Sequence, residues 1–547
     1  MSYYAWPRTL CTDSAMQASA ITFRVPEQLS GRVDVLPEGD RSRCELHCEA
    51  GQLHELSRWL RRRGFVFVGL IVEQEAERWL LRYVFYPTQR TPESGDSSWV
   101  HLLISQPLAQ TRFASAIETI PGIDWHEREA EDLFGLVFEG HPKLGDFVLH
   151  DDAWQEGVAP MRKEFDAHTA VSHRAPDPHW RPKRIVHAAG AFAMPIGPVY
   201  TGVAESAHFL LETVGEDVIR ALPRFYYKHR AVEKIAEGRW PEDVLLLAER
   251  FNGISAFAHG LAFAQALEAI GETEVPPRAR TLRTLLAELE RLRHHVGLIH
   301  DICESTALTV AASQAAILEE ELLRLCGALT GHRYLFGLAT CGGLTRDFRD
   351  ADLSSAVARS GEILRRLTEL EIKLIKTSSF LDRLEEVGII TAKEAQAYGL
   401  VGPIARASGV ARDLRRVQPY ATYAQHTFEV PQESEGDGYA RLRVLLAEAR
   451  ESTRIISQAL SVLPGGPVRA ESIACGPGAA LGWTEAPLGA AFHWVRLNEE
   501  GRVSRYRIIP PSFVNWHAFY LAAEAFAFQD FPIILASFGL SVTENDR

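Results

Sequence analysis

Residues able to do chemistry concentrate in two stretches. The first, Glu249-Arg250-Phe251-Asn252-Gly253-Ile254-Ser255-Ala256-Phe257-Ala258-His259, sets a carboxylate, a guanidinium, an amide, a hydroxyl and an imidazole close together. The second closes the chain, Asp530 to Arg547, with Ser537, Ser541, Glu544 and Asp546 at short intervals. Neither contains cysteine. Their oxygens suit hard cations, whereas soft metals need thiolates. Seven cysteines occur, Cys11, Cys44, Cys48, Cys303, Cys326, Cys341 and Cys475, without a C-x-x-C pair or a zinc spacing. An iron-sulfur cluster needs several thiolates, so this chain is expected to hold none of its own. The close pair Cys44 and Cys48 reads as strand-face cysteines.

The first stretch resembles the R-x-C-G-x-C-x-x-x-H segment of nickel-iron hydrogenase large subunits, with Asn252 and Ser255 where that family has cysteines. The chain end resembles D-F-P-x-I-x-A-S-x-D-P-C-x-x-C-x-x-R, with Ser541 and Glu544 in the cysteine places. The resemblance implies a hydrogenase fold that has lost all four metal thiolates, hence no nickel and no hydrogenase activity of its own. A partly neutral set of Asn252, Ser255, Ser541 and Glu544 is also a poor cage for a hard cation. Glu485-Ala486-Pro487-Leu488-Gly489 resembles E-A-P-R-G, with Leu488 replacing an arginine that faces the metals.

A second resemblance covers the first part. Trp125-His126-Glu127-Arg128-Glu129-Ala130-Glu131-Asp132, followed by Gly135, Phe138, Gly140-His141-Pro142 and Pro160-Met161-Arg162-Lys163, is similar to the signature of the small hydrophilic subunit of respiratory complex I. Such a charge run is ordinarily a solvated face. Alternating signs favour specific pairing, so Glu127, Arg128, Glu129, Asp132, Arg162 and Lys163 are expected to dock rather than to form a pocket. In the second part, complex I's quinone-contacting histidine and tyrosine correspond to Ala204 and Gly253, so both contacts are lost. Glu205 resembles the hydrogenase-type hairpin instead. Tyr227-Lys228-His229-Arg230-Ala231-Val232-Glu233-Lys234 resembles Y-x-H-R-G-x-E-K, whose glutamate relays protons in hydrogenases. Glu233 is therefore the leading proton-handling candidate, expected as a buried carboxyl of raised pKa. His229, Arg250 and His259 are candidates for supplying protons and holding an acceptor's oxygen. The plainer expectation pairs Glu233 with Arg230, Lys234 or Arg250.

The elements that must position these groups follow from periodicity. Cys44–Cys48, Phe65–Val72, Trp79–Tyr86 and Trp99–Ile104 read as strands, and Leu53–Arg63 as an amphipathic helix ended by Gly64. Thr91 to Ser98 reads as a turn-rich connection. Three later runs fall at helical spacing: Leu282 to Ile299, Ile363 to Leu374, and Leu442 to Leu460. They describe a helix bundle. Arg406, Asp413 and Arg415 suit loop-fixing ion pairs, and His295 a satisfied core histidine. The expected class is α+β, in four stretches. An arm at 1–20 precedes a sheet domain at 21–166, similar to the small hydrophilic subunit. A Pro/His-rich linker at 167–187 leads to a mainly helical domain at 188–547, similar to the hydrogenase large subunit and its counterpart in complex I.

Net charge of −13 and the absence of a basic arm argue against nucleic acid. The apolar stretch His517 to Leu540 holds Glu524, Asp530 and Pro532 and is a poor membrane span, and no secretory signal opens the chain. The resemblances imply a peripheral subunit on the cytoplasmic face of a membrane-bound, complex I-like assembly. Its expected partners are a small iron-sulfur subunit that holds a [4Fe-4S] cluster, a ferredoxin-like iron-sulfur subunit and membrane-arm subunits that move ions. Two alternatives stay open: reduction of a quinone in the emptied site, and a purely structural role.

Overall fold

The computed structural model describes residues 33–38, 41–88, 99–150, 154–155, 157–168, 178, 187, 189–199, 205–473, 476–523 and 526–547. The arm at 1–20, the connection at Thr91–Ser98, most of the linker at 167–187, and Ala204, Cys11 and Cys475 lie outside the described residues.

The first part is a five-stranded sheet of β1 (Val33–Glu38), β2 (Arg41–His47), β3 (Phe65–Gln74), β4 (Arg78–Pro87) and β5 (Trp99–Pro107). Its spatial order is β1-β2-β5-β4-β3; β2 and β5 run parallel and every other pair antiparallel. α1 (Leu53–Arg62) buries Leu53, Leu56 and Leu60 on one face, the i, i+3, i+7 stripe of an amphipathic helix. Gly64 then reverses the chain with φ of 78°, a conformation in which a side chain would be strained. α2 (Asp124–Phe134) carries the charged signature and stops at Gly135, a left-handed C-cap.

The second part contains α3 (Val232–Ala236), α4 (Pro241–Arg250), α5 (Ala256–Ile270), α6 (Pro277–Ser305), α7 (Thr309–Thr330) and α8 (Asp350–Leu374). A further long helix spans Gly438–Ser461, and three antiparallel strands follow at Gly478–Ala486, Gly489–Leu497 and Val503–Ile509. α6 is the bundle's axis, packed by α7, by Gly438–Ser461 and by the helix Phe531–Phe538. The three predicted helical runs fall on α6, α8 and Gly438–Ser461. α5 lies against the strand Gly478–Ala486 so closely that a Cβ at Gly482 would stand 1.8 Å from the Ala262 carbonyl oxygen.

Both large apolar cores draw residues from both parts. Tyr86 and Trp99 of the first sheet pack with Trp483 and Phe492 of the last one, the Trp99 and Trp483 rings lying 4.9 Å apart. On the other side, Trp125 of α2 meets Phe225 and Phe513. The fold is thus α+β, a sheet domain followed by a mainly helical one, sharing a continuous interior. No helix among the described residues is long and apolar enough to cross a membrane.

Candidate functional site

Three of the four positions that resemble lost metal ligands lie in one hydrogen-bonded cluster. Asn252 Nδ2 donates to Glu544 Oε1 at 2.7 Å, and His259 Nε2 meets the same oxygen at 3.0 Å. The Ser512 backbone N–H donates to Glu544 Oε2 at 2.9 Å. Ser541 caps the helix Val542–Asp546 by accepting from the Glu544 N–H, and donates its own hydroxyl to Glu205 Oε1 at 3.0 Å. Ser255 is buried at the start of α5, and its hydroxyl lacks a partner. That helix start is held by Glu290, whose carboxyl accepts from the Phe257 and Ala258 N–H groups at 2.8 and 2.9 Å. Burial pushes the Glu290 carboxyl up to about 7 despite those bonds. Gly253 is exposed, with open space where a side chain would stand.

These residues do not fit a nickel-iron centre. The donor atoms are oxygens and amide nitrogens, and Asn252 and Glu544 already satisfy one another, so a soft metal would find neither thiolates nor free lone pairs in suitable number. Cys303 and Cys326 sit in α6 and α7, where burial pushes both thiols up to about 12.

The chain His259, His493, Tyr506 extends the cluster inward. His259 Nδ1 and His493 Nε2 are 2.9 Å apart, and His493 Nδ1 is 2.7 Å from the Tyr506 hydroxyl. All three side chains are fully buried. Burial, reinforced by the neighbouring His259, holds the His493 imidazole well below its ordinary value. Sequence reasoning missed His493 and Tyr506. They come from two late strands, His493 standing 234 residues beyond His259, and no local spacing announces them.

The four candidates for proton and acceptor handling are dispersed. Only His259 reaches the cluster. Arg250 is exposed, with its guanidinium 5.7 Å from the Phe336 ring. His229 Nδ1 donates to the Asp546 carbonyl at 2.8 Å, and burial lowers its pKa. Glu233 is buried, but the expectation of a raised pKa is corrected. Its carboxylate receives Arg505 Nη1 at 3.0 Å, Arg507 Nη1 at 3.2 Å, Arg547 Nε at 3.3 Å and the Ile508 N–H at 3.0 Å. Burial pushes the group up, but the charges of Arg507, Arg505 and Arg547 outweigh it and hold it below the usual carboxylate range. The partners named from sequence, Arg230, Lys234 and Arg250, are not those of the structure.

The expected docking residues bond within this chain, Glu127 and Glu129 buried, Arg128, Asp132 and Arg162 half-buried and Lys163 exposed. Arg507 Nη2 donates to Glu129 Oε2 at 2.8 Å and Arg547 Nη2 to Glu129 Oε1 at 2.7 Å, so Glu129 joins the first part to the chain's own end. Burial raises that carboxyl, and Arg507 and Arg547 reverse the effect, bringing it to about 2. Lys163 Nζ binds Glu237 Oε1 at 2.7 Å and the Ser504 carbonyl at 2.6 Å, again across the two parts. Glu127 accepts from Ser115 Oγ at 2.5 Å and Ala116 N at 2.7 Å, yet burial takes it up to about 7. Asp132 accepts three backbone N–H groups, from Phe147, Val148 and Leu149, and burial still raises it to about 6. Arg128 stacks 4.3 Å over the Phe147 ring, and Arg162 Nε donates to the Phe134 carbonyl at 2.8 Å. These six residues fold their own domain and fasten it to the second part.

Deeper in the bundle, Arg406 binds Glu448 at 2.6 Å and Glu485 at 2.9 Å, while Arg415 bridges Asp413 and Glu288 at 2.6 and 3.0 Å. His295 Nε2 meets Glu448 at 2.8 Å, but its buried Nδ1 has no partner among the described residues, so the expected core histidine is satisfied at one nitrogen only.

Comparisons with known proteins agree with this two-part construction. Residues 46–171 match the respiratory-chain NADH dehydrogenase 30 Kd subunit, residues 230–301 the nickel-dependent hydrogenase, and residues 304–480 the respiratory-chain NADH dehydrogenase 49 Kd subunit. Formate hydrogenlyase subunit 5 of Escherichia coli is 30% identical over 83% of this chain and 80% of its own length. Hydrogenase-4 component G of the same organism is 28% identical over 83% and 79%. The fused C/D polypeptide of the NADH-quinone oxidoreductase of Bdellovibrio bacteriovorus is 31% identical over 64% and 63%. With a part like the small hydrophilic subunit joined to a hydrogenase-like part, the chain belongs to the family of fused complex I-type and formate hydrogenlyase-type subunits.

Proposed function

We propose that the chain is a peripheral-arm subunit of a membrane-bound, complex I-like oxidoreductase of the hydrogenase-related kind, and that it works without a nickel-iron centre. The observation that carries this reading is the mutual hydrogen bonding of Asn252, His259 and Glu544, in a chain whose similarity to hydrogenase-type subunits extends over most of its length. It passes redox or conformational change from an iron-sulfur partner to ion-translocating subunits. It binds no cofactor of its own and lies beside a [4Fe-4S] cluster held by a small iron-sulfur subunit, with a ferredoxin-like subunit and the membrane arm as further partners. Its place is the cytoplasmic face of the membrane.

Anaerobic affinity purification from native membranes tests this reading. Co-purification of iron-sulfur and integral membrane subunits is expected. Recovery of the chain alone under conditions that preserve membrane complexes would sink the proposal.

A second reading, reduction of a quinone, is favoured by the open space at Gly253 beside the buried Asn252. It predicts that reduced clusters in the purified complex reoxidise when quinone is added, followed by electron paramagnetic resonance. Clusters that stay reduced would rule it out.

A further inference from the structure

Glu129 and Glu73 tie the two parts together through guanidinium groups, but at the start of α2 the parts meet through an imidazole. His517, on the helix Pro511–Ala522, packs its ring 4.6 Å from that of Trp125 and 5.6 Å from that of Tyr398, with its side chain 5% exposed. Its Nδ1 donates to the Val514 carbonyl at 3.3 Å, which leaves Nε2 as a lone pair. That lone pair has no partner among the described residues and stands 4.0 Å from Asp124 Oδ2. An acceptor faces an acceptor across the seam.

Asp124 is charged: burial raises its carboxyl, but His141, His517 and Arg128 outweigh that and hold it below the usual carboxylate range. His141 approaches from the other side, with Nε2 3.2 Å from Oδ1. Its Nδ1 accepts the Lys143 N–H at 3.1 Å, so its hydrogen sits on Nε2 and points to Asp124. The charged and titratable groups that face the His517 ring are thus Asp124 and Arg128 of α2, His141 and Lys143 of the segment beyond it, and Tyr398. Burial lowers the His517 imidazole, the Asp124 carboxylate opposes this in part, and Arg128 and Lys143 add to the lowering, so the buried ring stays below its ordinary value. In an opened seam the ring meets water and regains that value, about 6.5.

Beside it a cleft lined by Phe65, Val66 and Phe67 of β3, Gly122, Gln396 and Tyr398 separates the two parts. The cleft is bounded where Gly122 touches the Tyr398 carbonyl, so closely that a Cβ would stand 2.5 Å from that oxygen. Tyr398 lines the cleft and also covers His517, so solvent lies one ring away from the imidazole.

We propose that His517 is an acid-sensitive latch on the seam between the two parts, closed while its imidazole is neutral and released as the opened state takes up one proton on Nε2. The proton comes from solvent, and no other bond is made or broken. A histidine lowered in the closed state stabilises closure above its ordinary value. That contribution is lost as pH falls below the ordinary value, by up to about tenfold in the opening equilibrium per pH unit. The latch lies within this chain and holds whether or not the chain works in the assembly proposed above.

Hydrogen exchange of the full chain, read by mass spectrometry from about pH 7.5 to about pH 5 and corrected for the intrinsic pH dependence of exchange, tests the latch. In the wild type, protection of the segments around Gly122 to Trp125 and around Tyr398 is expected to fall by up to about tenfold per pH unit below about 6.5. His517→Phe keeps a ring between Trp125 and Tyr398 but takes no proton, and should leave protection there level across the same range. Asp124→Asn, which leaves His517 in place and removes the carboxylate that opposes its burial, should carry the fall to lower pH and gives an independent second cut. Protection in the wild type that ignores pH, the same fall in His517→Phe, or an unchanged profile in Asp124→Asn would overturn the latch.

Discussion

At the scale of single residues, Glu233 shows how neighbours decide what a carboxyl does. A glutamate buried with backbone donors but no guanidinium bound to it is pushed up, as burial pushes the Glu290 carboxyl to about 7. Glu233 is as deeply buried, but Arg505, Arg507 and Arg547 converge on it and keep it charged. It is an anchor for cations. Glu233→Gln should therefore leave three guanidinium groups short of a counter-charge and destabilise the fold by about 3–5 kcal/mol, visible as a lower melting temperature. Unchanged melting together with lost activity would restore the relay role expected from sequence. Glu129→Gln removes the other carboxylate of the same junction and should behave alike, since Glu129 receives both Arg507 and Arg547.

At the scale of elements, the short final helix Val542–Asp546 links the site to the rest of the fold. Ser541 caps it, Glu544 projects from it onto Asn252 and His259, and Asp546 accepts from the Tyr226 and Lys228 N–H groups at 2.8 and 3.0 Å. Ser541→Ala should cost about 1 kcal/mol as a lost N-cap and expose the last residues to carboxypeptidase. Resistance equal to that of the wild type would show that Asp546 and Arg547 hold the tail unaided. Most elements were legible in the sequence because each is written locally: short apolar runs marked β3 to β5, and apolar spacing marked α6, α8 and Gly438–Ser461. The site was legible in part. Asn252, Ser255, Ser541 and Glu544 stand in two recognisable segments, so their types and places were readable. His493, Tyr506, Arg505 and Arg507 lie on strands buried on both faces, where no alternation marks which side chain meets which partner. Arg250 shows the converse error, since nearness to Asn252 in sequence suggested a shared site, yet its side chain lies at the surface.

At the scale of the whole molecule, ion pairs join the chain's two parts, made by Glu129 and Lys163 of the expected docking set and by Glu73, which the sequence reading did not single out. Glu73 of β3 receives Arg496 Nε at 2.6 Å and Nη2 at 3.0 Å, with the Trp494 ring N–H at 3.2 Å. Burial raises that carboxyl, but Arg496 and Arg82 outweigh it and bring it from 4.5 to about 2. A depressed carboxylate stabilises the fold fully above its unfolded value and loses that contribution as pH falls through the folded one. The Glu73 and Glu129 contributions should thus fade between about pH 4.5 and pH 2. Melting temperature measured across this window should fall less steeply in Glu73→Gln than in the wild type; identical slopes would assign the acid sensitivity elsewhere. In the function proposed above, hydrogen bonds among Asn252, His259 and Glu544 stand where hydrogenase large subunits hold a metal, and the chain works within a membrane complex. Metal analysis of the anaerobically purified native complex tests this. Iron from partner subunits and no nickel is the expected result; one nickel per copy of this chain would overturn the proposed function.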